Sequence, residues 1–220
     1  GLPWSALMLG CKQVMPHRFM DPARLIQLMV DESVTVSAGV PTIWQGLKAL
    51  FEADPGKYDL SSLSRVTCGG SAPPSSLIRW YWDRLGVEMI QGWGMTETSP
   101  LVTLSRRVMK RSQLELSEDE QFANVAKAGQ IMPGVEVEIV DEEFNPLPHD
   151  GEAVGEIIVR GPWICSEYYN NPQPEKFHDG WLVTGDVGKI DPEQYLIISD
   201  SSKDLVKSGG EWISSVDLEN

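Results

Sequence analysis

Gln91-Gly92-Trp93-Gly94-Met95-Thr96-Glu97-Thr98-Ser99-Pro100 is the stretch richest in residues that could do chemistry. Two glycines around an aromatic ring let backbone approach a flat ligand. Thr96 offers a hydroxyl to a phosphate, and Glu97 offers the hard oxygen that Mg²⁺ selects. The same residues also read as a plain glycine-rich turn. Their place directly after the strand Val87-Glu88-Met89-Ile90, where ligand sites of α/β sheets form, favours the ligand. The other candidates are weaker. His17, His149 and His178 sit in Pro- or Asp-flanked loops with no HExxH spacing, and read as solvated or packed rings rather than metal ligands. Cys68 has no neighbouring base, which argues against a nucleophile. Glu118-Asp119-Glu120 reads as a solvated helix start, and Trp80-Tyr81-Trp82 as helix packing with one exposed ring.

Composition narrows the partners of this chemistry. Across 220 residues, 41% hydrophobic and 23% charged side chains describe an ordinary globular chain able to build a core. The net charge is −14, and Arg106-Arg107-Val108-Met109-Lys110-Arg111 is the one short basic run. Nucleic acid binding is therefore excluded as the main task, since phosphate neutralisation supplies most of its non-specific affinity. Small anionic ligands stay open, because backbone amides hold phosphate on an acidic protein. Cys11, Cys68 and Cys165 are far apart without a CxxC and read as reduced thiols. No apolar run approaches the roughly 18 residues of a transmembrane segment, and Gly1-Leu2-Pro3-Trp4 lacks a signal peptide's charged start. A soluble, cytoplasmic protein is expected. Both ends read as cut: Gly1 opens on an apolar stretch, and Ser214 to Asn220 starts a helix that stops within about two turns.

The elements that must position these residues alternate in the first half. Asp21-Pro22 caps a helix carrying Leu25, Ile26, Leu28 and Met29, and Val34-Thr35-Val36 follows as a strand. Thr42 opens a helix with Ile43, Trp44, Leu47 and Leu50 on one face; Arg65-Val66-Thr67-Cys68 is a strand, and Ser75 or Ser76 starts the next helix. That is the βαβ rhythm of a parallel sheet. Residues 105–127 are polar and charge-dense, with one helix over Ser117 to Ala126, and read as a surface excursion. Beyond them Val135 to Val140 alternates strictly and Glu156 to Val159 is a second strand, which predicts a small antiparallel β subdomain. The expected division is 1–128 for the α/β part, 129–199 for the β subdomain and 200–220 for a further unit.

Six motifs in one order carry a resemblance. Gly92-Trp93-Gly94-Met95-Thr96-Glu97 resembles the Y/W-G-M/L-T-E signature of the adenylate-forming superfamily, which includes acyl-CoA synthetases, luciferases and peptide-synthetase adenylation domains. Gly180 to Asp186 resembles its G-[WYF]-x-x-T-G-D, and Lys203 to Ser215 its K-D-x-I-x-S-G-G-E-x-I-S. Gly39-Val40-Pro41-Thr42, Gly69 to Pro73 and Gly151 to Glu156 complete the series. Gly209 to Asn220, with Gly161-Pro162-Trp163-Ile164, looks most like medium- and long-chain fatty-acyl-CoA synthetases.

The resemblance implies part of such an enzyme's large domain, an α/β parallel-sheet subdomain followed by a distorted barrel-like antiparallel one, and a fatty-acid:CoA ligase that makes acyl-AMP from ATP and then passes the acyl group to coenzyme A. It implies that Trp93 stacks on adenine with Gly70 and Ser71 opposite, Thr96 holds phosphate, Glu97 binds Mg²⁺, and Asp186 takes the ribose hydroxyls. It sets Val40, Pro41 and Trp44 near the acyl chain and makes Lys203 the hinge between large and small domains. The family's usual Arg of D-R-x-K-D is Ser201, which removes a bidentate donor. Neither the family's phosphate loop nor its adenylation Lys falls within these residues, so the isolated piece is expected to be inactive. The rival readings are another adenylate-forming ligase, acting on aryl acids or making fatty-acyl-AMP for a carrier protein, and a nucleotide-binding module without turnover. A Rossmann oxidoreductase is disfavoured for want of G-x-G-x-x-G.

Overall fold

The computed structural model describes residues 2–201, 206–208 and 211–213. Lys203, Gly209, Gly210 and the helix start at 214–220 lie outside the described residues. The chain divides into two compact units. One comprises Gly1–Gly92 and Ser105–Ala126, the other Trp93–Leu104 and the chain from Lys127 onward.

In the first unit, α1 (Leu2–Met8) precedes α2 (Pro22–Asp31), whose start follows the sequence closely: the Asp21 carboxylate accepts the Arg24 amide at 3.0 Å, and Pro22 opens the helix. Strand β1 (Val36–Gly39) leads into α3 (Pro41–Ala53), β2 (Arg65–Cys68) into α4 (Ser75–Leu85), and α4 into β3 (Glu88–Trp93). β1, β2 and β3 run parallel, with Gly39 paired to Cys68 and Cys68 to Gln91. The first strand begins two residues later than Val34, because Val34 spends its amide on the end of α2, donating to the Met29 carbonyl at 2.9 Å. Trp44 and Tyr81 centre the core: Trp44 is fully buried, the rings meet edge to face at 6.1 Å, and the Tyr81 hydroxyl donates to the Trp44 carbonyl at 2.9 Å. Burying each large apolar side chain stabilises by about 1.5–3 kcal/mol, so these two rings anchor α3 to α4.

The polar stretch 105–127 is a correction to its reading as a surface excursion, for it folds back and contributes to this core. Phe122 and Val125 of α5 (Glu118–Val125) are buried in the first cluster. Their one-turn spacing is hidden among charges that pair with each other. Arg106 holds Glu88 through Nε at 3.0 Å and Nη2 at 2.7 Å, Arg79 reaches Glu118 and Asp119, and the Arg107 guanidinium lies 4.1 Å from the Trp82 ring centre. Ser117 and Glu120 close the reciprocal cap that starts α5.

The second unit is antiparallel, as its alternating pattern predicts. Its strands are β4 (Thr103–Ser105), β5 (Gly129–Ile131), β6 (Glu136–Val140), β7 (Gly155–Arg160), β8 (Phe177–His178), β9 (Trp181–Ile190) and β10 (Tyr195–Ser201). They pair in the order β4-β5-β10-β9-β7-β6, with β8 on β9. Residues Val206–Ser208 and Glu211–Ile213 form a separate two-stranded ladder. The period of two shows in β7, where Ile157 and Val159 join Val102, Ile139, Leu182 and Leu196 in the main core while Ile158 turns to Val140 and Val183 on the other face.

Candidate active site

The second unit begins where β3 ends, and it gathers Trp93, Thr96, Glu97 and Asp186. Val102 donates its amide to the Trp93 carbonyl at 3.0 Å, closing residues 93–102 into a loop. Gly94 makes that loop possible, since a Cβ there would lie 1.8 Å from the Pro100 carbonyl oxygen and 2.8 Å from Thr98 Oγ1. No side chain fits that gap. Thr98 is fully buried and its hydroxyl accepts the Met95 amide at 2.9 Å, with the Pro100 carbonyl 2.6 Å away. Thr96, Glu97 and Thr98 form a single 3-10 turn, which leaves Thr96 exposed and Glu97 half-buried.

Asp186 is set by a break in its own strand. The register of β9 against β7 shifts between the pairs Ile158–Val183 and Glu156–Val187, so Thr184, Gly185 and Asp186 bulge. Gly185 has φ of 81°, the left-handed region that a side chain resists. Thr184 locks the bulge by donating to the Ile157 carbonyl at 2.8 Å and accepting the Asp186 amide at 3.1 Å. The carboxylate thus presented accepts Trp93 Nε1–H on Oδ2 at 2.9 Å. A hydrogen bond to a charged group contributes about 1.5–3 kcal/mol, enough to fix both the indole plane and the carboxylate. That bond engages Oδ2 of the Asp186 carboxylate. The β10 ladder sets Ser201 directly opposite Asp186.

Glu97 is held from the segment after β7. The Cys165 amide donates to the Glu97 carbonyl at 2.8 Å, and the Tyr168 hydroxyl donates to Glu97 Oε1 at 2.7 Å. This hydrogen bond to a carboxylate is the main reason the Tyr168 phenol is pushed up to about 12. Burial raises the Cys165 thiol, and the Glu97 charge adds to it. Oxygen is the whole donor set of Thr96 and Glu97, which suits a hard divalent cation that takes one carboxylate and completes its shell with phosphate and water. Among the described residues no cluster of three or more His, Cys, Asp or Glu could hold a metal on its own.

Of the remaining candidates, Val40, Gly70 and Ser71 lie in the first unit just past the carboxyl ends of its parallel strands, and Pro41 and Trp44 lie in the first turn of α3. Val40 follows β1 and is 44% exposed; Gly70 and Ser71 follow β2 and are exposed. A Cβ on Gly70 would stand 3.3 Å from Val40 Cγ1, so these two strand ends are neighbours. Pro41 and Trp44 are buried. Cys68, directly before this loop, is a core residue, and burial pushes its thiol up to about 11.

A family model described as "AMP-binding enzyme" matches residues 2–169. The chain belongs to the AMP-binding enzyme family. Among curated relatives of these AMP-binding enzymes, a long-chain-fatty-acid–CoA ligase of Thermus thermophilus is 47% identical over 223 residues, and a medium-chain-fatty-acid–CoA ligase of Ectopseudomonas oleovorans 42% over 220. Each alignment takes in 100% of this chain and 40% of the relative, so the chain spans about two fifths of their length. Among solved structures, O-succinylbenzoate coenzyme A synthetase from Bacillus subtilis in complex with ATP and magnesium ion superposes with TM-score 0.77 at 26% identity, covering 98% of this chain and 42% of that one. The anthranilate CoA ligase AuaEII in complex with anthranoyl-AMP gives 0.76 at 26%, covering 94% and 37%.

Proposed function

We propose that the protein carrying this chain is an AMP-forming fatty-acid:CoA ligase. A fatty carboxylate oxygen attacks the α-phosphorus of ATP and pyrophosphate leaves. The thiolate of coenzyme A then attacks the acyl carbonyl, and AMP departs. The observation that carries the reading is the Trp93–Asp186 hydrogen bond, which joins two separate signature motifs into one constellation suited to an adenosine. The identities of 47% and 42% to fatty-acid ligases support the acyl substrate.

In this reading Trp93 stacks on adenine and Asp186 accepts from the ribose hydroxyls, while Gly70 and Ser71 of the first unit keep the nucleotide-binding role that their motif implies. Thr96 donates to phosphate. Glu97 holds Mg²⁺, which supplies neutralisation of phosphate charge when bound. Val40 contacts the acyl chain, while Pro41 and Trp44 support it from the core. Lys203, within residues 200–220, serves as the hinge. No helix among the described residues is long and apolar enough to cross a membrane. A cytoplasmic home fits Cys11, Cys68 and Cys165 as free thiols.

A second reading, a nucleotide-binding module without turnover, is favoured by Ser201 lying opposite Asp186. Pyrophosphate release from the intact protein, with palmitate, octanoate and benzoate in turn, separates the possibilities. Release with the fatty acids supports the ligase. Release with benzoate alone points to an aryl acid ligase, and AMP binding without release to the module.

A further inference from the structure

The segment that follows β7 braces the Glu97 loop at three points. Trp163 Nε1–H donates to the Leu101 carbonyl at 3.1 Å, the Cys165 amide to the Glu97 carbonyl at 2.8 Å, and the Tyr168 hydroxyl to Glu97 Oε1 at 2.7 Å. The first two are indole and amide contacts to backbone and fix the course of the loop. The third reaches a carboxylate. We propose that Tyr168 is a positioning residue that pins one oxygen of Glu97 so that the other is presented to a divalent cation bound with nucleotide phosphates. This inference rests on the reading of Glu97 as a metal ligand.

Three features argue for orientation over packing. Glu97 stands on a single 3-10 turn and is half-buried, so three side-chain torsions must be ordered before its carboxylate can bind at one place. An ionised carboxylate accepts at both oxygens, and one phenol occupies only part of that capacity, leaving Oε2 for the cation. The Tyr168 ring is itself steadied edge to face on Phe177, with centres 5.7 Å apart, whereas neighbouring Tyr169 is 92% exposed. The hydroxyl is therefore delivered from a fixed ring. Hydrogen-bond partners that orient a metal ligand typically account for 10–100-fold in metal affinity.

The test uses the intact protein, Mn²⁺ as a spin probe for Mg²⁺, and a non-hydrolysable ATP analogue, with free Mn²⁺ read by electron paramagnetic resonance. Tyr168→Phe keeps the ring and should weaken Mn²⁺ binding roughly tenfold, while metal-free AMP affinity stays within about twofold. Tyr168→Leu, which also removes the ring, should weaken Mn²⁺ to a similar degree. In a Glu97→Ala background Tyr168→Phe should cost nothing further. Wild-type Mn²⁺ affinity in Tyr168→Phe, loss confined to Tyr168→Leu, or an undiminished loss in the Glu97→Ala background overturns the inference. If Glu97→Ala alone leaves Mn²⁺ affinity unchanged, the metal role of Glu97 falls and this inference with it. A loss in Glu97→Ala beside a silent Tyr168→Phe removes Tyr168 alone.

Discussion

Trp93 Nε1 and Asp186 Oδ2 stand 2.9 Å apart, so the aromatic ring of one signature motif is fastened to the carboxylate of another. The bond has two consequences for a nucleotide. It fixes the plane of the indole, on which a base would stack in the proposed reading, and it engages one carboxylate oxygen, which in that reading leaves the other for the sugar. Trp93→Phe keeps a stacking face and loses the N–H, and should weaken AMP binding by about 1 kcal/mol. If Asp186 holds the ribose as proposed, Asp186→Ala should cost about 1–3 kcal/mol, because the indole and the ribose then lose their acceptor together. Calorimetric AMP affinities of the two variants in the intact protein check both values; unchanged affinity in Asp186→Ala would remove that residue from the site.

Gly94 is where the loop tolerates no side chain. With a Cβ 1.8 Å from the Pro100 carbonyl oxygen, Gly94→Ala must push the 93–102 loop open. The expected loss is about 1–3 kcal/mol or more of stability, read as a lower midpoint of thermal unfolding. A wild-type midpoint would mean that the loop relaxes without resistance.

Burial pushes the Cys68 thiol up to about 11 from an ordinary 9.0. The sign follows from the neutral form being favoured in the fold: the contribution to stability is full below pH 9 and fades as pH rises through about 11. The raised value leaves little thiolate at pH 8, and the side chain is buried besides. Cys68 should therefore resist iodoacetamide in the native protein and react once it is denatured, as peptide mass mapping would reveal. Fast native labelling would contradict its place in the core.

Ser201 faces Asp186 across the β9–β10 ladder, at the position where the family pattern carries Arg. Ser201→Arg puts a donor with five N–H groups at the ladder position paired with Asp186, the ribose ligand of the proposed reading. AMP should bind several-fold tighter in the variant, by calorimetry. Weaker binding would indicate that the strand end has been adapted to the smaller residue.

Helices α2, α3 and α4 and the parallel strands of the first unit were legible because they carry their own local signals: Asp21-Pro22 at a helix start, Ile43 to Leu50 on one face of a helix, Val66 and Cys68 on a buried strand; α1 went unread in its apolar stretch. The candidate motifs were legible as blocks of sequence. Their mutual geometry was not, since Trp93 and Asp186 meet only after β9 bulges at Thr184-Gly185-Asp186. Tyr168 gave no signal at all: it lies beside an exposed Tyr169 in a polar run, and only the fold tells the two apart. The stretch 105–127 misled for the opposite reason. Its charges neutralise one another and cover ring faces, and so conceal the two apolar residues that tie α5 to the core.

In the proposed function Glu97 binds the metal that serves adenylation of a fatty acid. The measurement that tests it most directly is pyrophosphate release by the intact protein with palmitate and Mg²⁺, wild type against Glu97→Gln, which keeps side-chain shape and removes the charge. Fatty-acid-dependent release in the wild type, reduced on the order of 100-fold in Glu97→Gln with the unfolding midpoint preserved, is the expected result. Equal turnover in the two proteins, or no release above the acid-free blank in the wild type, would contradict it.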